Sequence, residues 1–230
     1  LDFPDFERDY EFVALRHPQE YPFCEGRLVS NKGLDIDVHD YERVFQEEQV
    51  PHSTALHSVI KGRGAYVCGP LARVNLNFDR LRPVAREAAV STGFAVPCNN
   101  PFKSILARSL EVLQAVDEAI AIIESWASPA QVSMDVPHNA ATGYGCTEAP
   151  RGILYHRYEV DGDGLIKDAR IVPPTSQNQK SIETDLYEIA ARLARMSHEE
   201  AVWLAEQTVR NHDPCISCAT HFLKLEIERE

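Results

Sequence analysis

The stretch Asp213-Pro214-Cys215-Ile216-Ser217-Cys218-Ala219-Thr220-His221 limits what this chain can fold into more than any other. Two cysteines three positions apart, then a histidine three further on, place two sulfur donors and an imidazole within about one helical turn. Nine residues follow, Phe222 to Glu230. Three readings are open. A structural zinc needs four ligands, and no second Cys or His pair stands at the usual spacing. A thioredoxin-like redox pair should follow a strand and open a helix, whereas Pro214 precedes the first cysteine here. The third reading is half of a thiolate site, completed by groups from elsewhere. The residues of this stretch alone leave all three standing.

The rest of the composition narrows the class. A chain of 230 residues, 44% hydrophobic and 25% charged, with no low-complexity run, is globular and long enough for one large domain or two small ones. Its net charge of −12 argues against nucleic acid or an anionic membrane as partner, because either would need a basic face. No apolar run approaches the roughly 20 residues of a spanning helix. The opening residues Leu1-Asp2-Phe3-Pro4-Asp5-Phe6 are unlike a signal peptide. Six cysteines (Cys24, Cys68, Cys98, Cys146, Cys215 and Cys218) are too sparse for a disulfide framework and fit a reduced, cytoplasmic protein.

Periodicity predicts an α+β fold dominated by helices, with two β-hairpins and extended irregular connections. Phe12–Leu15 reads as a strand. Arg27–Ser30 and Leu34–Val38 read as a hairpin turned by Asn31-Lys32-Gly33. Tyr41–Gln49 is a short helix or a loop, and residues 51–79 are expected to be extended with turns. Leu81–Val90 reads as a short helix. Asn100-Pro101 opens a long helix running to Trp126, whose apolar residues Leu106, Leu110, Leu113 and Ile120, flanked by Ile105, Val112, Val116 and Ile123, predict a core helix. Residues 130–150 read as a loop. Ile153–Val160 and Leu165–Val172 form a second hairpin about Asp161-Gly162-Asp163-Gly164, which lacks the ligand spacing of a calcium loop. Residues 181–210 predict a broken helix restarted by the capping box Ser197-His198-Glu199-Glu200. His52 and His57 are five apart and share no helix face; His212 carries no spacing signal.

Context separates the three readings of the terminal cluster. Asp213-Pro214-Cys215-Ile216-Ser217-Cys218-Ala219-Thr220-His221 resembles the C-terminal motif of [NiFe]-hydrogenase large subunits. Glu148-Ala149-Pro150-Arg151-Gly152-Ile153-Leu154-Tyr155-His156, then Val172-Pro173-Pro174-Thr175-Ser176-Gln177-Asn178, match further motifs in the family's order. Gly69-Pro70-Leu71-Ala72-Arg73-Val74-Asn75 also looks like a family segment, and the whole is most similar to the cytosolic, multisubunit, NAD(P)-linked and sulfhydrogenase-like branch.

The resemblance implies a nickel–iron cluster whose iron carries CO and cyanide. Cys215 would be a terminal nickel ligand, Cys218 a bridge between the metals, and His221 a ligand to a magnesium or similar ion. Arg151 would stand at the open side where H2 reacts, with Asp213 as its partner. Pro150 would lie against the cofactor, and Thr175 would hydrogen-bond a cyanide. A terminal thiolate such as Cys215 can accept the proton when H2 is split. Implied partners are an iron–sulfur small subunit, nicotinamide-reducing subunits, metal-insertion chaperones and a maturation protease that removes a tail such as Phe222–Glu230. The family's other two nickel thiolates come from an N-terminal Cys-x-x-Cys that is absent here. Residues 1–230 are therefore expected to be the C-terminal portion of a large subunit, a fragment or a split gene product, with apolar helix faces left bare. Cys146 is expected to be a buried small hydrophobe rather than a substitute ligand. The alternative is a metal-free interaction module on the same scaffold.

Overall fold

A computed structural model describes residues 2–137 and 139–215. Cys218, His221 and the tail Phe222–Glu230 lie outside the described residues. The described chain is a mixed α+β structure of small antiparallel sheets packed on helices. Strands β1 (Val13–Arg16), β2 (Arg27–Ser30) and β3 (Asp35–Ile36) make the first sheet, with the expected hairpin between β2 and β3.

Tyr41–Gln49 divides in two. A single turn, α1 (Tyr41–Val44), leads into β4 (Phe45–Glu48), which pairs with β5 (His57–Ile60). Residues 51–79 are not all extended, since α2 (Pro70–Asn77) lies among them. Gly69-Pro70 reads as a turn in the sequence, but proline at the first helical position also starts a helix. Leu71, Ala72 and Val74 are buried and hold it there. Helix α3 (Pro83–Ser91) falls where expected.

Helix α4 (Ser104–Ser125) is entered through a short 3-10 turn at Pro101–Lys103, capped by the Asn100 side chain. Its packing differs from expectation. Ser104, Ala107, Leu110, Glu111 and Gln114 are buried. Ile105, Val112, Val116, Ile120 and Ile123 are 50–74% exposed. The apolar stripe is real, but no other element among the described residues covers that side of it.

Residues 141–149 form a strand instead of a loop. β6 (Ala141–Ala149) pairs along its length with β7 (Gly152–Val160), which pairs with β8 (Ile166–Val172). Gly143 and Gly145 mask a period-two pattern in which Cys146 and Glu148 face inward. Cys146 lies in the core beside Cys68, Ile153 and Tyr155, and burial raises its pKa, as it pushes Cys68 up to about 12. Both remain thiols at neutral pH.

Helix α5 (Pro174–Leu193) begins seven residues earlier than residue 181, because Pro173-Pro174 both closes the strand and supplies the first helical position. Helix α6 (His198–Arg210) starts at the expected capping box, with Ser197 and Glu200 bonded reciprocally. Helix α5 packs on β5, and its side chains also bond main chain and side chain of the segment that follows β5. Ser181 Oγ donates to the Tyr66 carbonyl at 2.9 Å, and Tyr66 OH donates to Gln177 Oε1 at 3.1 Å.

At the centre is Arg73 of α2, 2% exposed. Its Nε and Nη2 donate to the two carboxylate oxygens of Glu111 on α4, each at 2.6 Å. Nη1 donates to Glu148 Oε2 on β6 at 2.9 Å and to the Ala149 carbonyl at 2.9 Å, and Nη2 to the Pro150 carbonyl at 3.0 Å. All five guanidinium hydrogens are used. Leu15 N–H and Tyr21 OH complete the carboxylates at 2.8 and 2.6 Å. Burial raises the Glu148 pKa, against the opposing pull of Arg73.

Arg73→Leu leaves two carboxylates buried without their cation. It is expected to cost about 3–5 kcal/mol in urea denaturation, the scale for removing one partner of a buried ion pair. Glu148→Gln, which keeps shape and one acceptor, should cost clearly less.

Candidate metal centre

The turn that carries Arg151 is positioned by two close backbone approaches. Gly69, at φ +109°, caps α2, and a Cβ there would stand 2.7 Å from the Arg151 carbonyl oxygen. Gly152, at φ +134°, would place a Cβ 2.6 Å from Cys68 Sγ and 2.9 Å from Gly69 N. Both positions need the bare backbone and the positive φ that glycine tolerates. With Arg73 holding the Ala149 and Pro150 carbonyls, the β6–β7 turn has little freedom. Pro150 thus contributes its carbonyl to the buried network.

Residues 211–215, which follow α6, are fastened from several sides. Ser104 Oγ at the start of α4 donates to the Asn211 carbonyl at 2.7 Å. His212 Nε2 meets Asp185 Oδ2 of α5 at 2.8 Å, and Asp185 Oδ1 also accepts from Arg8 Nε at 2.7 Å and from Tyr10 OH at 2.8 Å. Asp213 takes φ +49° and turns the chain back toward the β6–β7 turn. Arg151 Nε donates to the Asp213 carbonyl at 2.8 Å and lies 3.4 Å from its Oδ2. Arg108 Nε lies 3.7 Å from the same carboxylate oxygen. Burial lowers the Arg108 pKa, with Asp213 opposing.

Cys215 follows, half-buried, and its N–H donates to Thr175 Oγ1 in the first turn of α5 at 3.2 Å. Arg151 and Thr175, remote in sequence, thus stand together with the Asp213–Cys215 segment. Cys218 and His221 lie outside the described residues.

The sequence reading missed Ser104, Arg108, Asp185 and His212. Ser104 and Arg108 sit four apart on one helix face, which on its own looks like ordinary helix polarity. Asp185 is buried within α5, and only its three partners from remote elements reveal its importance.

The described residues fit the implied nickel–iron centre in kind. The guanidinium groups of Arg108 and Arg151 lie against Asp213, two residues before Cys215, and the amino-terminal end of a 20-residue helix meets Cys215 itself; positive charge and a helix start both favour a thiolate and anionic ligands. Among the described residues, Arg108 Nε and Asn211 Nδ2 are buried here without hydrogen-bond partners. In number the fit is incomplete, since the described residues bring one cysteine, Cys215, to this place.

Known proteins share both the sequence and the fold of this chain. The family model for nickel-dependent hydrogenases matches residues 74–221. The alpha subunit of sulfhydrogenase 1 from Pyrococcus furiosus is 32% identical over 202 residues, covering 86% of this chain and 46% of that protein. The beta subunit of the NAD-reducing hydrogenase HoxS from Cupriavidus necator is 32% identical over 204 residues, covering 82% of this chain and 41% of that protein. Among solved structures, an NAD+-reducing [NiFe]-hydrogenase in the H2-reduced state superposes with a TM-score of 0.72 at 26% identity, over 94% of this chain and 51% of the other. The chain spans about half the length of the relatives it matches. With its motifs in order and their side chains converging on one place, the chain belongs to the nickel-dependent hydrogenase family.

Proposed function

We propose that residues 1–230 are the C-terminal portion of a [NiFe]-hydrogenase catalytic subunit. The observation that carries this reading is the meeting of Arg151, Thr175 and the Asp213–Cys215 segment beside the amino-terminal end of α5. Cys215 and Cys218 would be two of the thiolates holding a nickel–iron group with CO and cyanide ligands, and His221 would bind a magnesium ion. When bound, that group supplies the reversible cleavage of H2 into protons and electrons.

The chain's own residues have distinct tasks in this scheme. Cys215, as a thiolate, is the base at hand for the proton. Arg151 holds a fixed positive charge at the half-exposed mouth of the site, oriented by Asp213. Thr175 Oγ accepts from Cys215 N–H, which leaves its own hydroxyl hydrogen for an acceptor such as cyanide nitrogen. Electrons would leave through an iron–sulfur small subunit toward nicotinamide-reducing subunits, in the cytoplasm. No helix among the described residues is long and apolar enough to cross a membrane. Metal-insertion chaperones and a maturation protease acting on the tail after His221 complete the partners.

The bare stripe on α4 supports the reading that this is part of a longer subunit. An exposed row of Ile105, Val112, Val116, Ile120 and Ile123 is a surface that another segment normally covers. The N-terminal part of the same subunit, which would bring the other two thiolates, is the occupant proposed here.

Three outcomes test the scheme. The 230-residue chain alone should associate and bind an apolar dye, and co-expression with the N-terminal part should abolish both. Monomeric behaviour of the chain without dye binding would count against it. In the completed subunit, Cys215→Ser should lose nickel by elemental analysis along with H2-oxidation activity; a completed subunit that is metal-free from the outset would mark a non-catalytic module. Arg151→Lys, which keeps the charge but loses the guanidinium geometry, should retain nickel and the infrared bands of CO and cyanide while kcat falls by about 10²-fold.

A further inference from the structure

Away from the cysteine site, β5, α5 and the loop before β5 bring three metal-binding side chains together. His57 opens β5, Glu183 lies on α5, and His52 lies in the β4–β5 loop. Imidazole nitrogens of both histidines and a carboxylate oxygen of Glu183 lie within 4.8 Å of one another. His52 Nε2 is 2.6 Å from Glu183 Oε1, and His57 Nδ1 is 3.7 Å from Glu183 Oε2. The two imidazoles meet edge to face, with centroids 5.9 Å apart.

His57 carries the argument further than proximity does. Its side chain is 1% exposed, and among the described residues its buried Nδ1 has no hydrogen-bond partner. A buried polar atom left in that state is destabilising, so the fold has reason to supply a partner. The carboxylate opposite is too far for a hydrogen bond yet well placed to share an ion.

We propose that His52, His57 and Glu183 bind one divalent first-row transition ion, Zn2+ being the probe of choice, at a site separate from the cysteine centre. Two imidazoles and a carboxylate suit a borderline cation and leave a position for water. Ligands on a tetrahedral zinc stand about 3.3 Å apart, given bonds of about 2.0–2.1 Å. The group must therefore close by roughly 1–1.5 Å. His52 can supply that motion, because it sits exposed on a loop while His57 and Glu183 are held by a strand and a helix packed on each other. Glu183 and Thr175 are eight residues apart on α5, about 12 Å along its axis, so the two sites do not share ligands. The proposal does not depend on the hydrogenase reading. Its effect would be to clip the β4–β5 loop onto α5.

The test uses the 230-residue chain with Cys215→Ser and Cys218→Ser, so that these thiols cannot compete. Calorimetric titration with Zn2+ should give one ion per chain, and Co2+ should give a visible spectrum without thiolate charge transfer. His52→Ala and Glu183→Gln alter exposed or half-buried groups and should keep the native circular dichroism. Each should weaken binding at least ten-fold. Less than one ion per chain, a thiolate spectrum, or affinity unchanged in both variants would overturn the assignment.

Discussion

The Arg73 guanidinium is the fixed point on which the site depends. It joins α2 to α4 through Glu111 and to β6 through Glu148, and its remaining hydrogens grip the two carbonyls just before Arg151. A buried ion pair is weak support for stability, because desolvation offsets most of the attraction. Its value here is geometric. Five hydrogen bonds to three segments allow one arrangement of the β6–β7 turn, and so one placement of the neighbouring arginine. The glycines at 69 and 152 serve the same end by letting two backbones approach more closely than side chains would permit.

A second anchor is Asp185, fully buried on α5 and bonded to Arg8, Tyr10 and His212. It fixes the chain just before Asp213. Arg73 and Asp185 thus position the two halves of the same meeting point, one through the β6–β7 turn and the other through the segment after α6. The Arg151–Asp213 contact closes the gap between them.

Local chemistry made much of this legible. The Ser197 capping box, the Asn100 cap and the hairpin about Asp161–Gly164 are short-range devices, and each appears where its residues stand. The motif residues Arg151, Thr175, Asp213 and Cys215 were singled out from the sequence and come together. What was not legible is non-local. Strand β6 was hidden because its glycines suggested a loop, and only pairing with β7 makes it a strand. Helices α2 and α5 begin at prolines that read equally as turns. Arg73 and Glu111 are 38 residues apart, Arg8 and Asp185 are 177 apart, and no periodicity encodes such pairs. His52 and His57 looked unrelated as a spacing and become neighbours only through a loop, a strand and the carboxylate of α5.

Helix α4 connects these observations. Its buried side carries Glu111, which holds Arg73, and Ser104, which holds the segment leading to Cys215. Its opposite side carries the uncovered apolar stripe. A rigid helix transmits displacement from one face to the other, so whatever covers the stripe also bears on the placement of Arg151 and Cys215. On the proposed reading, the thiolates still to be supplied and the bare helix face would be two consequences of one arrangement. The polypeptide that completes the ligand set would also be the one that seats α4 and, through Arg73 and Ser104, sets the geometry of the centre it completes.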